Sequence, residues 1–173
     1  MNKKLSPGLI ASACVVLAAC AGAPARDAQT YEATITRTQF GIPHIRAADF
    51  GSLGYGDAYA RAQDNICLMA DIYVSVAGER SKYFGADGKT AIGLVPAKNI
   101  DSDVYYHEVM DVQGMRAAFA RSSAEYRDVV DGWVAGYNRY LKDYQGKLPA
   151  ACAGQAWVRS ITVDDALRGI NSF

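Results

Sequence analysis

The chain is poor in the residues that most often carry chemistry. Histidine occurs twice in 173 residues, tryptophan twice and proline five times. There is no His-Glu-x-x-His, no Gly-x-Ser-x-Gly, no phosphate loop and no Cys-x-x-Cys pair. A charge excess is also missing, because Lys and Arg number 18 and Asp and Glu number 18. That balance gives no electrostatic reason to expect nucleic acid as a partner. Nor is there an apolar run of the roughly 20 residues that a membrane-spanning helix needs. What the chain does have is a core-forming composition, 50% hydrophobic and 21% charged. That suits one domain or part of a larger one.

Residues 1–19 read as an export signal. Lys3 and Lys4 give a basic start, and residues 5–19 are apolar or small. Removing this segment takes two of the 18 basic residues and no acid, leaving 16 basic against 18 acidic side chains. Leu17-Ala18-Ala19-Cys20 resembles a bacterial lipobox, which implies lipidation of Cys20 and a mature chain starting there. The other reading is an ordinary signal cut after Ala25 in Ala23-Pro24-Ala25. Residues 20–30 are small and polar and suit a tether.

Export changes what the cysteines mean. Cys14 leaves with the signal and Cys20 would carry lipid, so Cys67 and Cys152 remain. Two cysteines in an oxidising compartment are expected to pair. The loop they would close holds about 86 residues, worth roughly 4.6 kcal/mol in the chain-entropy treatment. A metal site is disfavoured, since no histidine or second cysteine lies at ligand spacing.

From Tyr31 the pattern alternates and is rich in β-branched residues, predicting a strand. Gln39-Phe40-Gly41 makes a turn, and Ile42-Pro43-His44-Ile45 a short second strand that Pro43 confines to an edge. Beyond Asp49, an N-cap, the chain reads as helix to about Ala62, then as a second helix over 62–77 ending near Gly78. The glycines at 51, 54 and 56 fit close backbone packing better than a dinucleotide loop, whose third glycine is missing. Residues 79–85 add a short turn, and 85–99 read as a loop with Pro96 as a breaker. Helix returns from about Ser102 to Arg121, with a break at Gly114. Ser122 with Glu125 then forms a capping-box pattern. Tyr126, Val129, Val130, Trp133, Val134, Tyr137, Tyr140 and Leu141 follow at helical spacing, on a helix of about 32 Å. After a loop over 145–155, Thr162 with Asp165 opens a last helix. It has no C-cap signal before Phe173, so the polypeptide is expected to continue.

No self-contained catalytic set emerges. His44 and His107 read as packing or capping histidines, and nothing nominates a serine for a triad with His44. The eleven tyrosines fall mostly at helical spacings, as core residues do. Asp101, Asp103 and Asp111 lack an EF-hand pattern and read as a solvated acidic face.

Two blocks carry a resemblance. Ile35-Thr36-Arg37-Thr38-Gln39-Phe40-Gly41-Ile42-Pro43-His44-Ile45, then Gly54-Tyr55-Gly56-Asp57-Ala58-Tyr59-Ala60-Arg61-Ala62-Gln63-Asp64-Asn65, resemble the opening of the penicillin acylase family. Gly78-Glu79-Arg80 and Gly136-Tyr137-Asn138 are similar to later landmarks in the same order. Ala62-Gln63-Asp64-Asn65-Ile66-Cys67 resembles the branch with acyl-homoserine lactone acylases and aculeacin acylase. Thr38 and Asn65 depart from residues common elsewhere in the family, Asp and Arg respectively.

The resemblance implies an α+β fold: a mostly helical α-chain portion over residues 31–173 with an N-terminal β-hairpin. A β chain from the same precursor would complete the αββα N-terminal nucleophile hydrolase. It implies a catalytic serine at the start of that β chain, beyond Phe173, with its own α-amino group (pKa about 8) as base. Backbone and asparagine donors of the β chain would hold the oxyanion. No catalytic residue, metal or cofactor is then expected in this chain, and Ser172 is a poor substitute nucleophile. Further implications are a periplasmic or outer-membrane location, burial of the 126–141 face against the β chain, and an acylated amide as substrate. A penicillin G-type substrate is a variant within the class. The rival from another class is an inert, membrane-tethered helical lipoprotein that binds or scaffolds.

Overall fold

The computed structural model describes residues 30–172. The residues 1–29, with the predicted signal and Cys20, lie outside them, as does Phe173. The architecture is mostly helical with two separate two-stranded antiparallel ribbons.

β1 (Ala33–Arg37) pairs with β2 (Pro43–Ala47), with Ile35 opposite Ile45 and Arg37 opposite Pro43. Gly41 turns the chain at φ +80°, a region open to glycine at little steric cost. α1 (Phe50–Val76) starts at Asp49, whose carboxylate accepts from the Ser52 N–H at 2.7 Å. The Ser52 hydroxyl in turn accepts from the Glu32 N–H at 3.1 Å, so the cap also fastens the strand. The ribbon lies flat on α1 because residue 56 is glycine. A Cβ there would sit 2.7 Å from both Ala33 Cβ and Ile45 Cγ2.

The predicted break at Ala62 is displaced. α1 runs on as one element and kinks at Asn65 (φ −148°, ψ 43°), one turn beyond the Ala60 carbonyl that the Arg37 guanidinium takes at 3.2 Å. α2 (Arg80–Phe84) follows. The expected loop over 85–99 is instead a second ribbon, β3 (Lys89–Ile92) with β4 (Val95–Lys98). Pro96 is no breaker there, because a two-stranded ribbon has a free edge that needs no N–H donor.

α3 (Asn99–Val109) and α4 (Val112–Arg121) are separated at Met110 and Asp111. Gly114 does not break the chain; its N–H donates to the Asp111 cap at 2.9 Å. α5 (Ala124–Asp143) is capped by Ser123, one residue later than expected, since the Ser122 hydroxyl is spent on the Phe119 carbonyl. α6 (Val163–Ile170) has the full Thr162/Asp165 capping box.

The centre of the fold is the contact of α1 with α5, made at backbone distance. A Cβ on Gly132 would lie 1.9 Å from the Gly51 carbonyl oxygen, and one on Gly136 2.1 Å from that of Tyr55. Part of the 126–141 face expected to meet another chain is thus used inside this one, while Tyr126 stays 40% exposed. Val130, Tyr137 and Tyr140 are buried inside this one. Tyr137 and Tyr140 join Ala58, Ala62, Ile66 and Tyr73 in the core, where each large side chain contributes about 1.5–3 kcal/mol. Cys67 of α1 and Cys152 are joined by a disulfide, Cα atoms 5.5 Å apart, which staples the 145–160 segment to the core.

Candidate functional site

The recurrent sequence blocks turn out to be joints of one frame. Arg37 reaches from β1 to α1, where its guanidinium donates to Gln63 Oε1 at 3.1 Å and meets Asp64 at 2.9 Å. At the far end of α1, Gly78 turns at φ +67°. The Arg80 side chain is buried there, donating to Asn99 Oδ1 at 3.0 Å, Asp71 Oδ1 at 2.7 Å and Ser75 Oγ at 2.8 Å. Asp103 caps α2 from outside, accepting from the N–H groups of Arg80 and Ser81 at 2.8 and 2.7 Å. It is only 6% exposed, so the solvated acidic face expected of residues 101, 103 and 111 does not exist as such. Asp101 and Asp111 serve as local caps. The role of Asp103 has no signal in local sequence, because its partners lie more than 20 residues away.

The two histidines sit on different elements, β2 and α3. His44 is exposed in β2, and Nε2 of His107 pairs with the Gly78 carbonyl at 3.1 Å. Ser172 lies just past α6, with its hydroxyl donating to the Gly169 carbonyl at 2.8 Å. Among the described residues no three His, Cys, Asp or Glu side chains group as a metal would require. The tyrosines pack, as Tyr73 against Tyr137 edge-on at 5.3 Å and Tyr59 against Tyr140 at 5.6 Å.

The frame also leaves an open apolar cavity of about 430 Å³ between α1, α5 and α6. Its wall includes Met69, Ile72, Tyr73, Val129, Trp133 and Ile170. Trp133 Nε1–H donates to the Tyr73 hydroxyl at 2.7 Å, which satisfies both polar atoms and leaves two ring faces. Burial pushes the Tyr73 phenol up to about 12; the Trp133 bond acts against that and Asp165 adds to it. The phenol is therefore neutral in ordinary conditions. Such a volume falls within the roughly 300–1,000 Å³ of ligand pockets, and a wall of this kind suits hydrocarbon. Sequence reading missed the cavity because its lining comes from three separated elements.

Among the described residues the arrangement is a helical scaffold with an apolar groove between α1, α5 and α6. The Penicillin amidase family model matches residues 32–164, and the chain belongs to that family. It is 45% identical over 137 residues to an acyl-homoserine lactone acylase of Pseudomonas fluorescens, covering 79% of this chain and 17% of that protein. It is 36% identical over 171 residues to aculeacin-A acylase of Actinoplanes utahensis, covering 95% of this chain and 22% of that one. The fold matches a thermostable penicillin G acylase from Alcaligenes faecalis with TM-score 0.69 at 23% identity, over 82% of this chain and 71% of the other. The chain thus spans about a fifth of the length of the curated relatives it matches.

Proposed function

We propose that residues 31–173 are the α-chain portion of an exported acylase that hydrolyses the amide of an acyl-homoserine lactone or an acylated peptide. The observation that carries this reading is the match of the Penicillin amidase family model over residues 32–164. The motif residues build the scaffold. Chemistry then falls to a serine at the start of a β chain from the same precursor. Its hydroxyl attacks the amide carbonyl while its own α-amino group takes the proton and passes it to the departing amine nitrogen, and water then hydrolyses the ester to the acid and the free serine hydroxyl. The names of the relatives support the acylase reading. The cavity beside Trp133 supports an apolar acyl group, held there by the α chain.

Export, with lipidation at Cys20 or cutting after Ala25, belongs to the same proposal, as does a periplasmic or membrane-anchored location. The test is hydrolysis of acyl-homoserine lactones of graded chain length, an acylated peptide and penicillin G by the product of the complete reading frame. Release of acid by that product, and none by the 173-residue chain alone, is the expected result. Hydrolysis by the isolated chain would overturn the proposal. A complete product inert toward all three substrates would favour the scaffolding lipoprotein.

A further inference from the structure

Five tyrosines form a continuous stack across α1 and α5. Tyr31 lies on Tyr55 with ring centroids 5.7 Å apart, and Tyr55 lies on Tyr59 at 6.4 Å. Tyr59 meets Tyr140 edge-on at 5.6 Å, and Tyr140 lies on Tyr144 at 4.5 Å. Tyr55 and Tyr59, like Tyr140 and Tyr144, are four residues apart on one helix, the spacing that brings rings together. The end rings, Tyr31 and Tyr144, are half-buried, while Tyr140 is buried. Ring packing accounts for the contacts. It does not call for a base. Yet at the middle of the stack the Tyr59 hydroxyl donates to Asp143 Oδ2 at 3.1 Å. Arg139 Nε holds that carboxylate from the other side, at 2.8 and 2.9 Å from its two oxygens. Burial first, and then Asp143, push the Tyr59 phenol up to about 12, so it keeps its proton in ordinary conditions.

Neighbouring rings at these separations exchange an electron vacancy readily. A phenol that loses an electron becomes a far stronger acid, so the vacancy is trapped where a carboxylate can take the proton. We propose that Tyr59 is a redox-active site, the residue at which one-electron oxidation of this stack comes to rest. The electron leaves Tyr59 through Tyr55 and Tyr31, or through Tyr140 and Tyr144, to a diffusible one-electron oxidant. The proton passes from Tyr59 Oη to Asp143 Oδ2, and from there to water. What remains is a neutral tyrosyl radical, which one electron from a small-molecule reductant and one proton return to the phenol. The stack thereby acts as a sink for oxidising equivalents. This inference does not depend on the acylase reading.

The test is flash oxidation of the product of the complete reading frame by photogenerated tris(bipyridine)ruthenium(III), with a cobalt(III) ammine as the quencher. The radical is followed by its optical band and by electron paramagnetic resonance. Tyr59→Phe keeps the ring and removes the hydroxyl, and is expected to lower the radical yield at least threefold. Asp143→Asn keeps the shape and removes the base, and is expected to slow radical formation at least fivefold. Tyr83→Phe, outside the stack, is expected to match the parent. Thermal melts establish that each variant is folded. Parent-like yield in Tyr59→Phe, or a parent-like rate in Asp143→Asn, overturns the proposal. An equal loss in Tyr83→Phe overturns it too, because oxidation would then be spread over the tyrosines at large.

Discussion

Asn138 grips Ile161 from both sides of one peptide position: its amide nitrogen donates to the Ile161 carbonyl at 2.9 Å, and its amide oxygen accepts from the Ile161 N–H at 2.8 Å. This fixes the strand of loop that enters α6, and with it the α6 wall of the cavity. Asn138→Ala leaves both backbone groups without partners in a partly buried place. The expected loss is about 1–3 kcal/mol in urea unfolding. Asn138→Asp keeps only the acceptor and sets an anion against a carbonyl, so it should be no better than alanine.

Glycine substitutions should divide by what a methyl group meets. Gly132→Ala and Gly136→Ala drive a Cβ into backbone oxygen at 1.9 and 2.1 Å, and helix backbones cannot step aside cheaply. A cost of about 3 kcal/mol, the upper end for overpacking, is expected for each. Gly169→Ala meets only Tyr73 Cε1 at 3.6 Å, an ordinary contact, so the better helix propensity should stabilise by about 0.5–1 kcal/mol. Thermal melts of the three variants check both signs.

The cysteine staple gives a third outcome. Cys67 and Cys152 are 85 residues apart in sequence, and removing a native disulfide from a small domain costs about 2–5 kcal/mol. The double variant Cys67→Ala, Cys152→Ala should lose stability in that range. Dithiothreitol should lower the midpoint of the parent and leave that of the variant unchanged.

Acid sensitivity should centre on Asp165. Burial acts to raise its pKa, but Arg159 at 3.0 and 3.1 Å and the Thr162 N–H at 2.9 Å outweigh it, leaving the carboxyl below 3.8. A depressed folded pKa means the contribution is present above about pH 4 and is lost as pH falls through the folded value. Asp165→Asn should lower stability near neutrality and flatten the acid limb of a stability–pH curve. At the alkaline end Tyr73, raised to about 12, works the other way. Its contribution is present below about pH 10 and is lost as pH climbs toward the folded value.

Which features could be read from sequence follows from the range of the forces involved. The Thr162/Asp165 box is local, with partners three residues apart, and it appears as expected. The α5 start was displaced by one residue because Ser122 and Ser123 are chemically alike, and only the Phe119 carbonyl decides between them. The second ribbon was hidden by Pro96, which reads as a breaker unless the strand is known to have a free edge. The apolar stripe of α5 gave the helix but not its partner. That partner is α1, selected by Gly54, Gly132 and Gly136 at distances no periodicity reports. α3 defeated the rule that apolar faces point inward, since Arg80 and Asp103 form a buried polar lock across some 20 residues of chain. The cavity needed three elements at once and had no sequence signature.

The central claim is that the reactive group belongs to a second chain cut from the same precursor. Its most direct test is intact mass and N-terminal sequencing of the purified product of the complete reading frame. Two associated polypeptides are predicted, the smaller holding the Cys67–Cys152 disulfide and the larger beginning with serine. One uncut polypeptide that nevertheless hydrolyses acyl amides would contradict the account.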